Sequence, residues 1–154
     1  MELGDLITLD AIIPKLAAKT KKQVLQDLAE RAATLTGLDG RDILEALLQR
    51  ERVGSTAFGR GIAIPHGRLV GLERLVAVFA RLEQAVDFEA PDEEPVDLIF
   101  VLLAPEDADG DHLKALARIS RLAREPHMIE RLRSSYDRAT LHAILTEPST
   151  VQAA

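Results

Sequence analysis

The sequence predicts an α/β fold: a single three-layer domain over residues 1–154, with a β-sheet flanked by helices on both faces. Three observations carry that expectation. Two short apolar runs, Leu75 to Ala80 and Leu98 to Leu103, are rich in β-branched and aromatic residues and bounded by polar stretches, as strands buried on both faces are. Apolar residues recur at helical spacing before and after these runs. The resulting order of helix, helix, strands and helices fits one layered unit, with no internal repeat, low-complexity segment or linker to divide it.

Taken in order, residues 3–13 are apolar without helical spacing and suit a short strand or a packed lead-in. Thr20 and Gln23 form a candidate capping box for a helix whose stripe is Val24, Leu25, Leu28, Ala29, Ala32 and Leu35, with Gly37 as its stop. A second helix is expected from about Asp39 to Arg52, burying Ile43, Leu44, Leu47 and Leu48. After the two strand-like runs, joined by a solvated acidic turn from Glu89 to Pro95, Pro105 closes the second run. Asp107, Asp109 and Asp111 are then N-cap candidates for a helix carrying Leu113, Leu116, Ala117, Ser120 and Ala123. Pro126 breaks that pattern. A further helix is expected around Met128, Ile129 and Leu132, and a last one, capped by Asp137, around Leu141, Ile144 and Leu145. Residues 147–154 read as a frayed tail.

Composition narrows the function. A net charge of −6 disfavours general nucleic-acid binding, and aromatic residues at 3% disfavour base or sugar stacking. With no cysteine there is no disulfide, thiolate chemistry or Cys-based zinc site. No basic-then-apolar leader and no apolar run of about 20 residues is visible, so a cytoplasmic protein without membrane insertion is expected.

Against this acidic background, the stretch from Arg50 to Arg68 stands out. It holds four of the nine glycines, and four arginines against one acid. Within it, Pro65 stiffens the backbone ahead of His66, and Gly67 permits a turn or a close chain approach beside the imidazole. Ile62-Ala63-Ile64 reads as a brief buried strand anchoring the histidine at a rim. Glycine N–H groups and guanidinium forks both suit phosphate oxygens, and neutral histidine is a competent nucleophile. Local chemistry leaves two readings, a phosphate-handling loop with His66 as its reactive group, or a simple turn. Arg50 is equally explained as a cation in the last turn of a helix.

The other histidines divide. His112 falls in the first turn of a helix that follows a strand, where active groups gather in α/β domains, yet it is equally a polar residue at a helix start. His127 is expected at the surface and His142 at a core boundary. The histidine spacing lacks an H-x-x-x-H pair, so no metal is expected. Ser55 lacks a nucleophile-elbow context, and no Gly-Lys-Ser or Gly-Lys-Thr loop for ATP occurs.

The segments Arg50-Glu51-Arg52-Val53-Gly54-Ser55-Thr56 and Gly59-Arg60-Gly61-Ile62-Ala63-Ile64-Pro65-His66-Gly67 resemble the signature of the enzyme IIA domains of the mannitol/fructose class of the bacterial phosphotransferase system. Val96 to Pro105, followed by Asp111-His112-Leu113, matches in kind and order, so the likeness covers most of the chain. Its nearest branch is the nitrogen regulatory enzyme IIA. The resemblance implies a mixed sheet and a phosphoryl group accepted on His66 from a phosphohistidine on a small carrier protein. It further implies that Arg50 and His112 assist and that no cofactor takes part. Ser55, Thr56 and Gly67 are then expected to support the phosphate. Arg60, where many relatives have a small or polar residue, either adds charge at the donor interface or is solvated. Three functions follow: a phosphorylation-controlled regulator of target proteins, a transport component passing the phosphoryl group to a separate IIB partner, or a binding module that is not phosphorylated.

Overall fold

The two apolar runs are the centre of a six-stranded sheet in the computed structural model, which describes residues 2–147. Five strands follow the order β1 (Ile12–Leu16), β5 (Val76–Val86), β6 (Val96–Pro105), β3 (Ile62–Ala63) and β2 (Ala57–Gly59), and β4 (His66–Leu69) pairs with β6 beyond β3. The sheet is mixed. β1 runs parallel to β5, β5 antiparallel to β6, and β3 and β4 both parallel to β6. Residues Ala77 to Ala80 and Leu98 to Ala104 are consecutively buried, which requires cover on both faces.

The cover comes from five helices: α1 (Lys21–Thr36), α2 (Gly40–Val53), α3 (Asp109–Ala123), α4 (Pro126–Arg133) and α5 (Arg138–Leu145). α1 and α2 pack on each other and α2 lies along β4, whereas α3, α4 and α5 form a second group reaching β6 and β1. Thr20 caps α1 by accepting from the Gln23 N–H at 3.1 Å, while the Gln23 side chain accepts from Lys19 N–H, one residue outside the expected box. Gly37, at φ 77, ends α1, and Asp39 and Asp137 cap α2 and α5.

The fold adds to or departs from the sequence expectation in several places. β2 and β4 were not expected, and α3 buries His112, Ala115 and Ile119 while Leu113 and Ala117 of its expected stripe are exposed. The lead-in is two 3₁₀ turns, Leu3–Asp5 and Leu9–Ala11, followed by β1. Both central strands are longer than their apolar runs, because pairing carries β5 on to Val86 and β6 out to Val96 and Pro105. No aspartate caps α3; its N-cap is Ala108, and Asp109 instead pairs with Arg68. Glu147 is held by Arg131 rather than frayed, and residues 148–154 of the expected tail lie outside the described residues.

The acidic turn after β5 also has structural work. Asp92 accepts from the Arg60 N–H at 3.0 Å and from the Glu94 N–H at 3.1 Å, holding Arg60 at φ 60 between β2 and β3. Gly61 follows at φ 80, and Arg133 grips both Asp97 and the Arg60 carbonyl beside it. A Cβ at Gly61 would stand 3.0 Å from Asp97 Oδ1 and drive into the Arg133 guanidinium. Gly61→Ala is therefore expected to lower unfolding free energy by about 1–3 kcal/mol in urea denaturation. Gly110→Ala, whose Cβ meets nothing within 4 Å, is the control that leaves stability unchanged or raised.

Candidate functional site

The site lies where α2 ends, β4 begins and α3 begins. Its geometry starts at Pro65, which has no N–H to give a neighbouring strand. The Ile64 N–H turns to the Thr56 carbonyl at 3.0 Å, and the Pro65 carbonyl accepts from the Leu102 N–H at 2.9 Å. The Ile64 carbonyl then meets His66 Nδ1 at 2.7 Å. A carbonyl only accepts, so Nδ1 carries the proton and the lone pair of the neutral ring sits on Nε2. Arg50, in the last turn of α2, donates from Nε to that Nε2 at 3.2 Å and from Nη1 to the Gly54 carbonyl at 2.8 Å.

His112 faces the same place from α3. It is 6% exposed, its N–H donates to the Ala108 carbonyl at 2.8 Å, and its ring stands edge-on to His66 with centroids 5.6 Å apart. Arg68, two residues along β4 from His66 and so on the same strand face, donates from Nε to His112 Nδ1 at a long 3.5 Å. The other edge of its guanidinium pairs with Asp109. His112 Nε2 is buried without a partner, the one such side-chain atom among the described residues. The structure thus brings together Arg50, His66 and His112, which lie far apart in sequence.

The remaining residues of the expected site are placed differently. The Ser55 hydroxyl donates to the Phe88 carbonyl at 2.6 Å and accepts from the Ala57 N–H at 3.1 Å. The Thr56 hydroxyl and N–H both bond the Glu51 carboxylate. These groups are committed to closing the loop after α2, so neither hydroxyl is free to take a phosphate oxygen in this state. Gly67 makes no turn; it lies within β4, where a Cβ would stand 3.2 Å from Ala46 Cβ, so its role is close packing of α2 on the strand. Arg60 reaches the Arg124 carbonyl at 3.2 Å, beyond the C-terminal end of α3 and roughly 18 Å along the helix axis from His112 at 1.5 Å per residue. His127 is exposed, and His142 Nε2 meets the Ile7 carbonyl at 3.2 Å, so both stand apart from the site.

Two residues were not anticipated. Glu51, the one acid in the cationic stretch, has a nearly buried side chain that binds Lys21 Nζ at 2.9 Å as well as Thr56. Its signal was being the single acid among four arginines. Arg68 was hidden by counting it only as loop charge; its i+2 spacing from His66 becomes informative once 66–69 is a strand.

Electrostatics keep both imidazoles neutral. Burial pushes His66 below the ordinary histidine value and the Arg50 charge adds to it, against the Ile64 hydrogen bond and Glu51. Burial also lowers His112, with His66 and Arg68 adding and Asp109 opposing. Among the described residues no group of three or more His, Cys, Asp or Glu gathers as a metal site. What remains is a nucleophilic lone pair on His66 Nε2 beside an arginine and a second imidazole. In an NMR pH titration both histidines are expected to protonate below about 6.5, and Arg50→Met to move His66 upward by removing a nearby cation. Because the unfolded chain takes up these protons first, their contribution to stability is full above about 6.5 and is lost as pH falls through the lower folded values.

The profile of the family described as "Phosphoenolpyruvate-dependent sugar phosphotransferase system, EIIA 2" matches residues 5–147. A nitrogen regulatory protein of Bradyrhizobium diazoefficiens is 50% identical over 153 residues, covering 99% of this chain and 100% of the relative. The crystal structure of nitrogen regulatory protein IIA-Ntr from Neisseria meningitidis superposes with a TM-score of 0.89 at 35% identity, covering 94% of this chain and 99% of that one. Enzyme IIAMtl of Escherichia coli, solved in complex with phosphorylated enzyme IIBMtl, shares the fold at 20% identity and a TM-score of 0.76, over 90% of this chain and 96% of that one. With His66 seated among Arg50 and His112, the chain belongs to the EIIA 2 family of the phosphoenolpyruvate-dependent sugar phosphotransferase system.

Proposed function

We propose that this protein accepts a phosphoryl group on His66 Nε2 from a phosphohistidine on a small carrier protein, and that its phosphorylation state controls binding to target proteins. The observation that carries the site assignment is the Ile64 carbonyl 2.7 Å from Nδ1, with Arg50 Nε on the opposite nitrogen. The lone pair on Nε2 forms the new N–P bond as the donor nitrogen leaves with the electrons of the old one. Nδ1 keeps its proton, donated to the Ile64 carbonyl, so the step needs no base, metal or nucleotide. Arg50 and the His112 Nε2–H hold the equatorial oxygens, where fixed donors stabilise charge as transfer proceeds. Ser55, Thr56 and Gly67 serve by shaping the loop and packing the strand beneath it.

Regulation is the reading supported by the nitrogen regulatory proteins that match nearly the whole chain. A cytoplasmic location suits it, and no helix among the described residues is long and apolar enough to cross a membrane. The competing reading is transfer onward to a separate IIB partner.

Incubation with phosphoenolpyruvate and the general phosphotransferase proteins is expected to add one acid-labile, base-stable phosphoryl group to wild type and none to His66→Ala, by intact mass. Arg50→Met should still fold but accept the group about 100-fold more slowly. An unlabelled wild type, with both carriers active on a control, would leave only a binding module. Capture by phospho- and dephospho-protein baits then separates the two roles: a regulator retains a target in one state only, whereas a transport component loses its label to a IIB protein.

A further inference from the structure

We propose that Arg68 is a positioning residue for phosphoryl transfer, donating to His112 Nδ1 so that His112 presents Nε2–H to the phosphoryl oxygens. The inference rests on the phosphoryl-acceptor reading of His66 and assigns the orientation of the second histidine to a residue outside that reading.

An isolated imidazole can carry its proton on either nitrogen, and only one choice makes His112 a donor at the edge left free. A guanidinium has no acceptor, so a contact from Arg68 Nε at 3.5 Å requires a lone pair on Nδ1. The single proton of the neutral ring then belongs on Nε2. That nitrogen is buried and has no partner in the unphosphorylated protein. An unpartnered buried donor is costly, so its persistence marks a group reserved for something that arrives. The ring stands edge-on to His66 at 5.6 Å, leaving a phosphoryl group on His66 as the occupant whose oxygens would satisfy it.

Arg68 is itself held. Its Nη1 pairs with Asp109 in the first turn of α3, three residues before His112, so strand, histidine and helix start are tied at one point. The arginine also disfavours a second proton on His112, reinforcing burial and His66 in keeping that ring neutral. A neutral donor holds the phosphoryl oxygens without competing as an acid for the N–P bond, as a histidinium beside phosphohistidine would. Arg68 is substantially exposed, with 45% of its side chain accessible, so replacing it removes a hydrogen bond and a charge without opening the core.

The test is ¹⁵N NMR of the imidazoles in the unphosphorylated protein, where no donor protein is needed, on wild type, Arg68→Met and Arg68→Lys. Wild type is expected to show an unprotonated Nδ1 and protonated Nε2 on His112. Arg68→Met should shift His112 towards mixed tautomers, raise its titration midpoint, and slow phosphorylation about 10-fold while the fold is kept, as loss of a histidine's orienting partner does elsewhere. Arg68→Lys, which retains a charged donor, should restore the wild-type pattern and most of the rate. A wild-type His112 protonated on Nδ1, or an Arg68→Met protein whose His112 nitrogen shifts and titration are unchanged, would overturn the proposal. Failure of wild type to be phosphorylated at all would instead remove the acceptor reading and leave the tautomer result standing.

Discussion

The hydrogen bond between the Ile64 carbonyl and His66 Nδ1 is the interaction on which the site depends. It exists because the strand alongside β6 is interrupted. β3 and β4 both pair with β6, and between them Pro65 has no hydrogen to donate. The Ile64 N–H is drawn to Thr56, and the Ile64 carbonyl is taken by the side chain two residues on. One backbone irregularity therefore sets both where the imidazole stands and which nitrogen holds the lone pair. The surrounding elements secure the break: α2 packs against Gly67 through Ala46, and Glu51 closes the loop over Thr56.

Charge is distributed to match. An acidic chain concentrates arginines at one site, yet each is partly satisfied before any phosphate arrives, Arg50 by Gly54 and Arg68 by Asp109. Such pre-positioned cations need little reorganisation when a dianion appears, which is how fixed electrostatics favour phosphoryl transfer. On the proposed reading, a phosphoryl group on His66 would change the charge of the face around it and give partners a chemical difference to read. Near that site Leu113 is 66% exposed, so apolar area adjoins the charged groups there.

Much of this was legible in the sequence where one local rule decided the outcome. The stripes of α1 and α2, the stops at Gly37 and Pro126, and the buried central runs followed from periodicity and from single-residue backbone limits. By contrast, α3 is rotated from its expected stripe, burying His112, Ala115 and Ile119 and exposing Leu113 and Ala117. His66 could be singled out because Pro65 and Gly67 flank it amid arginines. Strand ends were less legible, since pairing with β6 rather than side-chain hydropathy carries β5 to Val86. The α3 cap misled because any of three aspartates has the right chemistry, whereas the competition from Arg68 for Asp109 is a tertiary fact. Ser55 and Thr56 had the hydroxyls expected of a phosphate loop, but short-range bonds to Phe88 and Glu51 claim them first. The meeting of His66 with His112 was implied by family resemblance and not by residue spacing, because it depends on how β4 and α3 lie against β6.

The central claim is that backbone geometry makes Nε2 of His66 the reactive nitrogen. It is tested most directly by phosphorylating ¹⁵N-labelled protein and reading which imidazole nitrogen couples to ³¹P. The account predicts coupling to Nε2, with Nδ1 still protonated and bonded to Ile64. Phosphorus on Nδ1 would contradict it, because the carbonyl contact would then have to break for the protein to work.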